Sequence, residues 1–265
     1  MEPPPLFATV CASSLGGPVA IGLLTPFRNA LTATAQEPNI TVDALRARLR
    51  QQGLSQLYRG WLGPTAAASV QFSCVGPVYF AAAQYLGAAG GVTFAAAVEA
   101  LVVYTAETRN VQLAHNSSGV GSKVSVQSYS RPIGPGFALF FSRILIANSG
   151  LRLVSAPVSR VASDAGLVKP AANVLGDFVG GVTMGMLATP ISQAYVFTVS
   201  SAKALEAQSV ERALLVGGFL RRLCVGSAGG ISPFLLRDMG IRGSYTGLMF
   251  VIYASVERSV FTLFG

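Results

Sequence analysis

Seven polar or ionisable side chains lie within long apolar segments of this sequence, and they are the residues best placed to do chemistry. They are Gln71, Glu99, Arg143, Arg152, Asp177, Arg237 and Arg242. If the segments cross a membrane, each of these groups is costly to bury and is therefore a candidate for holding a ligand or an ion. The same side chains can instead pair with one another, with backbone carbonyls or with lipid phosphates. Either interpretation requires helices that bring distant positions together.

Enzymatic chemistry has little support in the sequence. The single histidine, His115, stands beside a polar stretch, and there is no carboxylate pair at catalytic spacing, phosphate-binding loop or metal-ligand spacing. The three cysteines, Cys11, Cys74 and Cys224, are far apart within apolar segments, which predicts reduced, buried thiols. We therefore expect the protein not to be an enzyme and to need neither a metal nor a cofactor.

The composition predicts a membrane protein. Of the 265 residues, 51% are apolar and only 11% are charged, whereas a soluble domain carries about 25% charged residues. Gly, Pro, Ser or a single charge interrupts each apolar run, as is typical of transmembrane helices that pack through small residues around a polar interior. A glycine-rich soluble α/β protein is the alternative. Six segments have the ~20 residues that cross a bilayer: 6–35, 62–88, 92–114, 138–163, 171–202 and 228–263.

Basic residues are concentrated in three of the five connections between these segments, whereas the other two connections hold a single Lys169 between them. In chain order the three basic connections include Arg46, Arg48, Arg50, Lys123, Arg131, Arg212, Arg221 and Arg222. By the positive-inside tendency, the three basic connections face one compartment and both termini face the other. This topology accounts for the net charge of +8, so we expect no nucleic-acid binding.

A pattern of small residues followed by a proline occurs twice. Gly16 and Gly17 are followed after seven residues by Thr25-Pro26, and Gly180 and Gly181 are followed after seven residues by Thr189-Pro190. The two copies are 164 positions apart. Paired small residues let helices approach closely, and a proline kinks a helix because it removes a backbone donor.

A degenerate copy lies between these two. Ala95-Ala96 is followed after seven residues by Tyr104-Thr105, so the small residues persist while the proline is lost. A recurring pattern of this kind predicts structural repeats. We place three of them, at 1–90, 91–168 and 169–265.

The stretch "QGLSQLYRG", residues 52–60, follows the amphipathic stretch "VDALRARLRQQ" and precedes the second apolar segment. This arrangement resembles the repeat of the mitochondrial carrier family, which runs Pro-x-acid-x-x-base, then a short surface helix, then acid-Gly-x-x-x-x-aromatic-base-Gly. Gln52 replaces the acid, and "GISPFLLRDMG" at 230–240 is similar to the start of the last helix of a third repeat. The matching residues are Gly53, Tyr58, Arg59 and Gly60.

The resemblance implies an all-α membrane protein with six transmembrane helices in three pseudo-symmetric two-helix repeats and short matrix-side surface helices. It implies a multi-pass protein of the mitochondrial inner membrane with both termini toward the intermembrane space. The family binds cardiolipin at the membrane surface, here next to the four matching residues of the first repeat. It binds substrates in a central cavity, at positions that correspond to Gln71, Arg152 and Arg242.

The family closes its cavity with two charged gates, and this sequence lacks both in complete form. The matrix gate needs an acid two residues and a base five residues after each kink proline. Arg28 and Glu107 could still form one bridge between helices. The gate positions are Arg28 and Leu31 in repeat one, and Ser192 and Tyr195 in repeat three. In repeat two they are Glu107 and Asn110 if Thr105 replaces the proline. If Tyr104 replaces it, they are Ala106 with Arg109 and Gln112.

The opposite gate needs an aromatic residue, an acid and a base on the even-numbered helices. Gln84 stands where the acid belongs in the second segment. In the sixth segment Tyr253 fits, but Ala254 and Glu257 replace the acid and the base. Alternating access needs two closed states of comparable free energy, and each lacks most of the ion pairs that would select it.

Two functions follow from this combination. The first is a transport-inactive, carrier-like protein that serves as a structural or accessory subunit of a large inner-membrane assembly, such as a respiratory-chain complex. Its partners are then the lipid bilayer, cardiolipin and other subunits, and the incomplete gates argue against a small-molecule substrate. The second is an active but divergent carrier that exchanges a small anionic metabolite, which the arginines of the apolar segments favour.

The basic connections generate a prediction about sidedness. Protease added to mitochondria without their outer membrane should cut near both termini and spare the segment from Arg46 to Arg50, because that segment faces the matrix. Peptide mapping by mass spectrometry measures the cuts, and the same digestion after detergent treatment is the control that should expose the arginines. Cleavage at these arginines in the intact membrane would overturn the topology.

Overall fold

The structure is a computed structural model, and every regular element of its described part is helical apart from one bridge between Val225 and Ile231. The prediction of an all-α protein is therefore confirmed. The described residues are 4–36, 41, 43–44, 46–47, 50–51, 58, 61–118, 122–130, 133–225 and 229–264.

Nine α-helices and one π-helical turn span the chain within these ranges. In chain order they are α1 Leu6–Leu23, α2 Thr25–Gln36, α3 Leu62–Ser118, α4 Phe137–Ser149, the π-turn Gly150–Val154, α5 Ser155–Asp164, α6 Lys169–Ser200, α7 Ala202–Glu206, α8 Ser209–Cys224 and α9 Pro233–Phe264. The π-turn joins α4 and α5 into one rod without a break.

Five helical stretches are long and apolar enough to cross a bilayer, as is typical of a multi-pass membrane protein. They are Leu6–Leu23, Gln71–Asn116, Phe137–Asp164, Lys169–Ser200 and Pro233–Phe264. The second stretch covers two of the six apolar segments that the sequence predicts.

Helix α3 folds back on itself at Gly87, where φ is 70° and ψ is 174°. A side chain is strained at such a positive φ, and glycine adopts it freely. A Cβ on Gly91 would lie 3.0 Å from the backbone nitrogen of Ala83, and the Gln71 amide reaches the Glu99 carboxylate. In a straight helix residues 71 and 99 would stand about 42 Å apart. The two arms of α3, residues 62–86 (the N-terminal arm) and 88–118 (the C-terminal arm), are therefore antiparallel.

The long helices pack in chain order and close into a ring. Helix α1 lies against α3, α3 against α4, the rod of α4 and α5 against α6, and α6 against α9. Helix α9 then returns to α1, and the rings of Phe7 and Phe264 meet at a centroid distance of 5.5 Å. The N- and C-terminal residues thus lie at the same end of the ring, which we call the termini end. We call the opposite end of the ring the loop end.

The two glycine pairs of the repeated pattern lie in close helix contacts. A Cβ on Gly16 would lie 3.0 Å from the Tyr253 ring, and one on Gly17 would overlap the ring of Phe72. A Cβ on Gly180 would lie 2.7 Å from the carbonyl oxygen of Gly150. Gly181 faces α9, where the same atom would lie 2.6 Å from the Cα of Gly247. Only glycine lets these backbones approach so closely.

The two Thr-Pro copies each make the same kind of hydrogen bond but differ in helix geometry. The Thr25 hydroxyl donates to the Ile21 carbonyl at 3.0 Å, and the Thr189 hydroxyl donates to the Gly185 carbonyl at 2.9 Å. Helix α1 ends just before Pro26, whereas α6 continues through Pro190.

Surface helices are present in two of the three basic connections. The described residues between 43 and 51 are helical, and α8 occupies the last connection. Residues 122–130, between α3 and α4, contain no helix, so the expected surface helix is not found in that described segment. The Asn116 side chain holds both backbone groups of Val124 at 2.9 Å, and the Gln127 amide donates to the Gln112 side chain at 2.7 Å. Such bonds compete with helix formation.

The cysteines are free, as expected, but they are not all buried. Cys74 is exposed, and Cys11 and Cys224 are half-buried. The prediction of buried thiols was therefore wrong for all three, because the described helices cover Cys11 and Cys224 only in part and leave Cys74 uncovered.

The glycine contacts predict a strong effect of Gly181→Leu on stability. The new side chain has no space against Gly247, so unfolding should become easier by at least about 1–3 kcal/mol. The control is Gly240→Leu on α9, since a Cβ there meets no atom within 4 Å. Thermal unfolding in detergent measures both variants, and equal midpoints would contradict the packing described here.

Candidate functional site: a central cavity

A cavity of about 690 Å³ lies inside the helix ring and is lined by every long helix. It extends from Tyr79 and Tyr253, toward the termini end, to His115 and Ser200 in the last turns of α3 and α6. Its polar lining includes Arg28, Gln71, Glu99, Glu107, Asn110, Arg143, Asn148, Arg152, Ser192, Arg242 and Tyr245.

An ion pair between Arg152 and Glu257 closes the cavity toward the termini end. The two guanidinium Nη atoms donate to the two carboxylate oxygens at 2.8 and 2.7 Å. The guanidinium also lies over the rings of Tyr79 and Phe80, at 4.5 and 5.0 Å from their centroids. Bidentate geometry and aromatic faces are the environment in which arginine is most stable away from water. Arg152 belongs to the π-turn, an element that is frequent at functional sites.

Hydroxyl contacts reinforce the same end of the ring. The Ser13 hydroxyl of α1 lies 3.1 Å from the Tyr253 hydroxyl of α9. The Tyr253 ring packs against Phe72 of the N-terminal arm at a centroid distance of 5.5 Å. The first, second and last long segments therefore meet at one point.

In the middle of the cavity two amides hold the Glu99 carboxylate. Gln71 Nε2 donates to Glu99 Oε1 at 2.5 Å, and Asn148 Nδ2 donates to Glu99 Oε2 at 2.9 Å. The three side chains come from the two arms of α3 and from α4. This cluster joins three neighbouring walls of the cavity.

A second ion pair lies nearer the loop end. Arg143 Nη2 lies 2.5 Å from Glu107 Oε1, and the guanidinium covers the rings of Phe140 and Tyr195. The sequence allowed a bridge between Glu107 and Arg28; the structure pairs Glu107 with Arg143, because α4 lies directly beside the C-terminal arm of α3. Arg28 lines the cavity from α2.

Arg242 is the cationic side chain of the cavity with an unsatisfied donor. Its Nε atom is buried and has no hydrogen-bond partner among the described residues. Its electrostatic neighbours within the cavity are Arg143, Glu107 and Tyr245, and Asp238 also acts on it from α9. An anion that entered from the loop end would find an available donor here.

Most of the other positions that the resemblance assigns to the matrix gate make hydroxyl or amide contacts or line the cavity. The Tyr195 hydroxyl lies 2.8 Å from the Thr108 hydroxyl, and Gln112 Nε2 donates to the Val199 carbonyl oxygen at 3.1 Å. Both contacts join the C-terminal arm of α3 to α6. Leu31, Asn110 and Ser192 line the cavity, and the Ser192 hydroxyl is buried without a partner among the described residues.

The opposite gate positions are dispersed. Gln84 is exposed, Ala254 is buried in a helix contact, and Glu257 forms the ion pair with Arg152. The sequence therefore singled out both Arg152 and Glu257 but did not predict that they pair, across 105 positions of the chain. It also missed Asn148, although a lone amide in the apolar run "RILIANSG" is a signal of the same kind as Gln71.

The remaining polar candidates pair outside the cavity. Asp177 lies 2.8 Å from Arg258, and Arg237 lies 2.7 Å from Asp238. Gln193 of α6 donates to Asp238 at 2.9 Å. These contacts tie α6 to α9 at both ends of the ring.

The candidate cardiolipin residues fall partly outside the described residues. Gly53, Arg59 and Gly60 are among those not described. Tyr58 is exposed, and its hydroxyl donates to the Leu23 carbonyl at 3.2 Å, where α1 ends.

Comparison with known proteins adds no assignment: no family model matches the sequence, and no curated protein matches it significantly.

The Arg152–Glu257 pair predicts a specific pattern of stabilities. Arg152→Met or Glu257→Leu alone should destabilise the protein by about 3–5 kcal/mol, because each leaves a buried charge without its partner. The double variant should recover most of that loss, since it buries no charge. Chemical unfolding in detergent measures the three variants, and additive losses in the double variant would contradict the pairing.

Proposed function

We propose that this chain is a carrier-like protein of the mitochondrial inner membrane. The two arms of α3 would cross the membrane twice, and the other four long helical stretches once each, which gives six crossings. The closed ring around a cavity agrees with three two-helix repeats. The two Gly-Gly copies make equivalent close contacts, which supports the first and third repeats. In this orientation both termini face the intermembrane space and the basic connections face the matrix.

We propose further that the protein does not transport, and one observation carries this proposal. The ring is tied at both ends at once, by Arg152 and Glu257 toward the termini end and by Thr108 and Tyr195 toward the loop end. Alternating access requires that contacts at one end break while contacts at the other form. A ring braced at both ends is suited to a fixed structural role.

The role that fits such a scaffold is that of an accessory subunit in a large inner-membrane complex, such as a respiratory-chain complex. Its surface offers apolar faces to lipid and to neighbouring spans. Arg46 and Arg50 are exposed on a helical stretch, and Arg221 and Arg222 end α8. Basic helices at the membrane surface suit an anionic lipid such as cardiolipin.

A second candidate function is the exchange of a small anionic metabolite. The observation that favours it is the unsatisfied Nε of Arg242 in a cavity that also holds Arg28, Arg143 and Arg152. A volume of about 690 Å³ is within the range of small-molecule sites, roughly 300–1,000 Å³.

Transport assays separate the two functions. The purified protein in liposomes preloaded with unlabelled di- and tricarboxylates, nucleotides or amino acids should take up none of the labelled compounds, because neither end of the ring opens. Saturable exchange that is abolished by Arg242→Ala and retained by Arg160→Ala would replace this proposal with the second candidate. Arg160 is the matched control because it is exposed on α5 and does not line the cavity.

The accessory role generates a prediction of its own. In native membranes solubilised with a mild detergent, the chain should migrate with a complex many times its mass of 27.4 kDa. Native electrophoresis followed by immunodetection measures this. Migration as a free monomer at every detergent concentration that preserves the respiratory complexes would contradict the role.

A further inference from the structure

We propose that Glu99, Gln71 and Asn148 form a proton-binding site in the middle of the cavity. The site is independent of whether the protein transports, since it rests on the contacts of these three side chains alone. Its ligand is a proton that reaches the Glu99 carboxyl group through water in the cavity.

Glu99 is buried, with 7% of its surface exposed, and each of its carboxylate oxygens accepts one hydrogen bond. The donors are the amides of Gln71 and Asn148, at 2.5 and 2.9 Å. Both donors are neutral. None of the ion pairs among the described residues includes Glu99.

The charged groups around Glu99 are already engaged with each other. Arg143 on α4 and Glu107 on the same arm face Glu99, and they form their own ion pair. Tyr253 faces it from α9, and the N-terminal arm contributes Gln71. Ionised Glu99 is therefore a negative charge in the membrane interior whose hydrogen-bond partners are both neutral and whose nearest arginine is paired with another carboxylate, which is a costly arrangement.

Two amides satisfy this carboxyl group in both of its protonation states. The ionised group accepts two N–H bonds, as the structure places them. When it binds a proton, its new O–H needs an acceptor, and either amide presents its carbonyl oxygen after rotating by half a turn. Glu107 and Glu257 differ, because each forms an ion pair with an arginine, which can donate a hydrogen bond but cannot accept one.

The cavity connects this cluster to water. Its lining extends from Glu99 to His115 and Ser200, at the ends of α3 and α6. Proton binding at Glu99 then changes the charge inside the ring by one unit without breaking either ion pair.

Infrared difference spectroscopy on the purified full-length protein in lipid nanodiscs tests the proposal. Lowering the pH should produce a carbonyl band of a protonated, buried carboxyl group in the parent protein. The band should be absent in Glu99→Gln, which keeps the size of the side chain, and present in Glu107→Gln, the control in the same cavity. Absence of the band in the parent, its persistence in Glu99→Gln or its equal loss in Glu107→Gln would overturn the proposal.

Glu99→Asp is the second test variant, to be used if the Glu99→Gln protein does not assemble. This variant keeps a carboxyl group but shortens its reach to the two amides, so the pH-dependent band should shift in frequency. A band at the parent frequency would assign the proton to another carboxyl group and overturn the proposal.

Discussion

Charged side chains inside a membrane need partners, and this requirement organises the helix ring. Arg152 and Glu257 pair across the cavity and tie the rod of α4 and α5 to α9. Arg143 and Glu107 tie α4 to the C-terminal arm of α3. Each of these two ion pairs joins two helices, so the contacts that lower the cost of burying a charge also help to fix how the helices are arranged around the cavity.

Close approach of the helices makes these pairs possible. A Cβ on Gly150, where the π-turn begins, would lie 2.8 Å from the Gly180 carbonyl oxygen, so the two backbones touch two residues away from Arg152. Gly181 and Gly247 bring α6 and α9 together in the same way. Van der Waals contact between backbones replaces the hydrophobic effect, which does not drive helices together in lipid.

The cavity and the contacts that tie both ends of the ring have different consequences for function. Ties at both ends oppose the opening movements of a carrier, and this is the basis of the proposed structural role. The polar interior nevertheless retains two polar groups without an ion pair of their own. The carboxyl group of Glu99 accepts hydrogen bonds from neutral amides only, and the Nε of Arg242 has no hydrogen-bond partner among the described residues. A scaffold that has no need to bind anything would be expected to lose such groups, since each is costly to bury.

Sequence alone was sufficient for the features that depend on local hydropathy and residue size. The apolar segments predicted the helices, the break between the segments 62–88 and 92–114 marked the point where α3 folds back, and the Gly-Gly pairs marked close helix contacts. These features are local because a turn or a small side chain acts where it stands.

The partners of the charged residues were decided only by the tertiary structure. Glu107 pairs with Arg143 and Glu257 pairs with Arg152, and neither pairing follows from the spacing in the sequence. The absence of a helix in the described residues 122–130 likewise depends on Asn116 and Gln112, which bind that segment's backbone. The reason is that ion pairing depends on the rotation of each helix about its axis and on its neighbours. Packing over the whole ring sets both, and hydropathy does not encode them.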